Sequence, residues 1–159
     1  MSQKVSVVFG TTQEKAASYI EKSSGDFSPI FSDGKLQFVV KEVEESKQTL
    51  EKVRTIAGNI ARDVKARKID KIYVHEQKLQ RFFTALDVRE AVVAFVEGWH
   101  LGAYDFDTYK SEKVTRTELK FVNEAAVKHE VTEGNIRAAA TAFSRDLMNE
   151  IPSVLNPET

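Results

Sequence analysis

The chain has 159 residues, 30% of them charged, yet 23 Lys and Arg against 24 Asp and Glu leave a net charge of −1. Bulk electrostatics therefore supplies no pull toward nucleic acid or an anionic membrane. Cysteine is absent, which excludes disulfides, thiol catalysis and zinc–thiolate centres and suits a reducing compartment. No apolar stretch nears the ~20 residues of a spanning helix. The opening MSQKVSVVFG is too short an apolar run for a secretory leader. The expected location is cytoplasmic, and at this length a single domain is the simplest organisation.

In chain order, Lys4–Gly10 reads as a strand, with β-forming Val5, Val7, Val8 and Phe9 and a terminating Gly10. Thr11 or Thr12 can cap a short helix over 13–22. Residues 23–35, rich in Gly, Pro, Asp and Ser, read as the main irregular loop. Leu36–Val43 is a second strand. Ser46–Lys68 is the clearest helix: Leu50, Val53, Ala57, Ile60 or Ala61, and Val64 recur at the spacing of one buried stripe. Asp70–Val74 is a short strand. Leu86–Leu101 is a helix apolar nearly all round, the mark of a buried helix, and Gly98 and Gly102 leave room for close approach of another element. Thr117–Asn123 is a further strand. Thr132 caps a last helix in which Ile136, Ala139 or Ala140, Phe143 and Leu147 line one face, and Pro152 stops it. Alternating strands and helices predict an α/β domain of three layers, with a mostly parallel or mixed sheet flanked by helices. That domain spans 1–148, with an extension over 149–159.

Few residues invite chemistry. His75-Glu76 and His129-Glu130 suggest a helical metal motif, but that motif needs a second His four residues on, and positions 79 and 133 are Leu and Glu. Asp105 and Asp107 could act as an acid/base pair, though turn formation explains them better. Tyr104, Phe106 and Tyr109 read as a lid over the end of the buried helix. Lys65, Arg67, Lys68 and Lys71 cluster at a helix C-terminus, where cations offset the helix dipole by roughly 0.3–1 kcal/mol each. No aromatic is interleaved among them, so nucleic acid is not an expected partner. No phosphate-binding glycine loop and no G-x-S-x-G elbow occurs. Trp99 and His100 read as packing residues at the end of the buried helix.

Two segments carry a resemblance. The first is Gly98, Leu101, Gly102, Tyr104, Phe106, Asp107, Tyr109 and Lys110. The second is Ala142, Arg145, Asp146, Leu147, Asn149, Pro152, Leu155 and Pro157. In this order they resemble the leucyl (cytosol) aminopeptidase family, at its non-catalytic N-terminal domain and the helix leading to its catalytic domain. Ile151 stands where the family usually has a first proline, and the N-terminal half is shorter than the family pattern. The resemblance implies a macro-domain-like fold. It also implies a parent enzyme, cytoplasmic and hexameric, that removes N-terminal residues, often leucine, from peptides. Two divalent ions (zinc, manganese or magnesium) would serve it, held by Lys, Asp and Glu of a C-terminal domain whose N-T-D-A-E-G-R-like motif this sequence lacks. The resemblance therefore assigns no catalytic, cofactor-binding or metal-binding residue here. The partners it implies are the catalytic domain of the same protein and other subunits of a homo-oligomer; a membrane is not one. Two other readings are a stand-alone macro-like module binding a nucleotide such as ADP-ribose, and a small hydrolase using Asp105, Asp107 or His100.

Overall fold

The structure, a computed structural model, describes residues 4–10, 25–105, 111 and 116–150. The helix expected over 13–22, the residues Phe106, Asp107 and Tyr109, and the extension from Ile151 lie outside these. The strands are β1 (Val5–Phe9), β2 (Phe27–Ser32), β3 (Lys35–Val40), β4 (Lys71–Val74) and β5 (Glu118–Phe121). The helices are α1 (Leu50–Ala66), α2 (Glu76–Phe82), α3 (Val88–Ala103) and α4 (Lys128–Asn149). The sheet runs β2-β3-β1-β4-β5. Strands β3, β1, β4 and β5 are parallel, whereas β2 runs antiparallel to β3. The chain thus forms the expected α/β fold around a mixed sheet.

The antiparallel strand corrects the sequence reading. Residues 23–35 are not simply a loop, for they hold β2. Asp33 and Gly34 both have positive φ, 50° and 71°, as a tight two-residue hairpin turn requires. Pro29 is tolerated because β2 is an edge strand and needs no second ladder partner. Strand β3 also closes at Val40 rather than Val43, and α2 was not expected. The last helix begins at Lys128, so Thr132 is not its cap: the Thr132 hydroxyl donates to the Lys128 carbonyl within the helix, at 2.8 Å.

Helix starts follow side-chain capping. Thr49 Oγ1 accepts from the Lys52 amide at 3.0 Å, and one Asp87 carboxylate oxygen accepts from the Arg89 and Glu90 amides. The α1 stripe is buried as its spacing predicts, through Val53, Ala57, Ile60, Ala61 and Val64. Ala91 to Val96 of α3 are all buried, because α3 is packed on by α1, by α4 and by the sheet side: Phe95 meets Phe9 and Phe121 edge-on.

The α1–α3 contact is backbone against backbone. A Cβ placed on Gly98 would collide with the Arg54 backbone, and one on Gly102 would collide with Gly58. On Gly58 it would meet Gly98 O at 3.0 Å. Overpacking of this kind costs about 1–3 kcal/mol. Gly98→Ala and Gly102→Ala should each lower urea-unfolding stability by about that amount, and Gly58→Ala by less. Unchanged midpoints for the first two would show that the helices are free to move apart.

Candidate functional site

The C-terminal ends of α1 and α3 and the entries to β4 and β5 border an open groove of ≈ 800 Å³, lined among others by Arg62, Lys65, Lys68, Gly102, Tyr104 and Thr117. It contains part of the basic cluster, and three of the cluster's four cations face carboxylates. Lys65 pairs with Asp105 at 3.3 Å, Arg67 with Asp63 at 3.2 Å, and Lys71 with Glu118 at 3.6 Å. Lys68 follows the helix with φ 56°, the left-handed geometry common just past a C-terminus. Of the three pairs, the first joins the end of α1 to the residues just past α3, the second lies within the end of α1, and the third joins β4 to β5. Thr117 contributes in the same way, donating to the Ile69 carbonyl at 2.6 Å.

Beside the groove, α4 is fastened to the end of α3. The Tyr104 hydroxyl donates to Asp146 Oδ1 at 2.8 Å, and Asn149 Nδ2 donates to that hydroxyl at 3.3 Å. Arg145 donates to the Leu101 carbonyl at 3.3 Å and lies over the Tyr104 ring, 5.4 Å from its centroid. It therefore satisfies one of the carbonyls that α3 leaves open at its end and stacks as a cation on an aromatic face. Desolvation, and after it the hydrogen bond to Asp146, raises the Tyr104 pKa above its ordinary value. Arg145, Asp146 and Asn149, three residues that carried the resemblance, are thus a clamp around Tyr104.

The other expected residues scatter. Exposed His75 precedes α2, and its neighbour Glu76 is buried, accepting from the Asn123 amide at 3.2 Å just past β5. Exposed His129 opens α4, and Glu130 pairs with Arg89 at 3.7 Å. Asp105 is the ion-pair partner of Lys65; Asp107 lies outside the described residues. Trp99 is buried in the core. His100 sits on α3 beside α4, still exposed to solvent, and partial desolvation lowers its pKa. A hydrogen bond with Asn135 opposes that shift, and Arg116 reinforces it. Among the described residues, no group of three His, Asp and Glu could hold a metal ion, and no helix is long and apolar enough to cross a membrane.

Comparison with known proteins decides the family. The N-terminal domain of the cytosol aminopeptidase family matches residues 44–113. A probable cytosol aminopeptidase of Persephonella marina is 32% identical over 140 residues, 82% of this chain and 27% of the relative. One from Clostridium perfringens is 27% identical over 158 residues, 87% of this chain and 31% of the relative. This chain carries the N-terminal domain of the cytosol aminopeptidase family. The fold agrees: the bottromycin maturation enzyme BotP superposes with a TM-score of 0.76 at 20% identity, over 98% of this chain and 35% of its own. A tomato leucine aminopeptidase mutant gives 0.73 at 14% identity, over 99% of this chain and 37% of its own. The chain spans less than a third of the length of either of these two curated relatives.

Helix α3 meets α4 through a group that titrates. His100 binds its proton less readily when folded than when unfolded, so folding stability should fall as pH drops from about 7 to 5. His100→Gln should flatten that fall in thermal melts across the same range. An identical pH slope in the variant would show that His100 contributes nothing.

Proposed function

We propose that this domain is the non-catalytic front part of a metal-dependent leucyl aminopeptidase of the cytoplasm. It packs on the catalytic domain of the same protein and helps to assemble the subunits of a homo-oligomer. The parent enzyme removes N-terminal residues from peptides. What supports this is the extended match to proteins named as cytosol aminopeptidases. Several of the candidate acids serve packing: Asp105 pairs with Lys65, Asp146 accepts from Tyr104, and Glu76 accepts from the Asn123 amide.

A pair of divalent ions (zinc, manganese or magnesium) would activate the attacking water and polarise the scissile carbonyl in such an enzyme. The described residues of this chain do not fit that role, because no three donor side chains converge. Their contribution is scaffolding: a rigid α/β unit whose last helix is held at a fixed angle.

The test is an assay of the purified 159-residue chain with leucine p-nitroanilide and Mn²⁺, paired with calorimetry against ADP-ribose. The expected outcome is no turnover above a metal-only blank and no binding heat. Turnover that disappears in Asp105→Ala would contradict the scaffolding role, and clear micromolar binding would favour the nucleotide-module reading.

A further inference from the structure

Helix α4 has two apolar sides of opposite design. At about 100° per residue, Gly134, Ala138 and Arg145 share the side that meets α3. Gly134 is so close to α3 that an added Cβ would lie 2.7 Å from Val96 Cβ and 3.0 Å from Val93 O. Ile136, Ala140, Phe143 and Leu147 lie about 180° away around the helix. Ile136 is 65% exposed, Phe143 64% and Leu147 39%. This is the face that the sequence pattern marks as the apolar one, and it points away from the domain. The closest contact with α3 is made by Gly134 and Ala138 while the large apolar Ile136 and Phe143 face outward, the reverse of an ordinary surface helix.

Rotation cannot cure the exposure. Bringing Ile136 or Phe143 toward α3 would place a large side chain where there is scarcely space for a methyl group at Gly134. It would also break the Tyr104–Asp146 bond and the Arg145 contacts. The outward presentation is therefore imposed by the packing.

We infer that this stripe is the seat of the catalytic portion of the protein, an extension that rests on the function proposed above. Two observations select that occupant. The chain covers only 27% and 31% of the Persephonella marina and Clostridium perfringens relatives, so most of either relative's polypeptide lies outside the matched share. In addition, Leu147 and Met148 lie in the last turn of α4, so polypeptide continuing beyond Glu150 is tethered at the end of the stripe. The four-three-four spacing of Ile136, Ala140, Phe143 and Leu147 is the seam on which another helix packs. The fitting surface is thus an apolar ridge of the catalytic portion, lying along α4.

The experiment compares two proteins, each with native residues and with Ile136→Gln, Phe143→Gln and Leu147→Gln combined. One is the 159-residue chain. The other is the Persephonella marina relative with its matched share replaced by this chain. In the isolated chain the triple variant should stay monomeric by light scattering, with a melting temperature within about 2 °C of the parent, as for exposed positions. In the chimera the same variant should split one cooperative melt into two, the first near the isolated chain's own transition. A chimera melt unmoved by the triple variant would overturn the inference. So would an isolated chain that dimerises through this face and is made monomeric by the variant, which would assign the stripe to a second copy. A chimera with native residues that folds but has no aminopeptidase activity would instead contradict the proposed function.

Discussion

The contact on which the rest depends is the close approach of two helix backbones, Gly58 of α1 against Gly98 and Gly102 of α3. It lets α3 sink between its neighbours until Ala91 to Val96 are covered on every side. Packing this close replaces side-chain interdigitation with backbone contact, so it tolerates no added atoms. Glu97, largely covered near the crossing, is met by Arg54 at 3.1 Å, so its charge is paired there. With α3 fixed, Phe95 anchors it to the sheet through Phe9 and Phe121, and α4 sets its own Gly134 against Val93 and Val96.

The same logic gives meaning to a sequence motif. Arg145, Asp146 and Asn149 belong to a segment that marks the aminopeptidase family, and charged residues in such a segment invite a catalytic reading. Here they close around Tyr104 and the last carbonyls of α3. Leu147, in the middle of the segment, turns the other way. One short motif therefore does two mechanical jobs: it holds the helix to the domain on one side and exposes an apolar edge on the other.

Much of the fold was legible where periodicity is strong. The α1 stripe, the all-round apolar α3 and the strands β1, β4 and β5 follow directly from residue spacing. Strand β2 was hidden because Pro29 and its Ser and Asp neighbours look like a loop, although Asp33-Gly34 carried the hairpin signal. Helix α2 has only 7 residues, too few for a helical period to show. The seat of α4 was illegible for a physical reason: contact made by Gly134 and Ala138 leaves no hydrophobic signal, while the conspicuous Ile136 and Phe143 do not touch the core. The scattering of candidate site residues was partly legible, since the failed metal spacing argued against a centre. The Tyr104–Asp146 clamp was not, because its partners lie 42 residues apart.

Because the chain has no cysteine of its own, a single introduced thiol reports one position cleanly. The most direct measurement is the rate of thiol labelling in Phe143→Cys and Ala138→Cys, each compared with the same variant after unfolding. With α4 seated as described, the first should react nearly as fast as an unfolded thiol and the second on the order of 100-fold more slowly. Equal rates, or protection at position 143 with reaction at 138, would show that α4 is turned the other way and contradict the account.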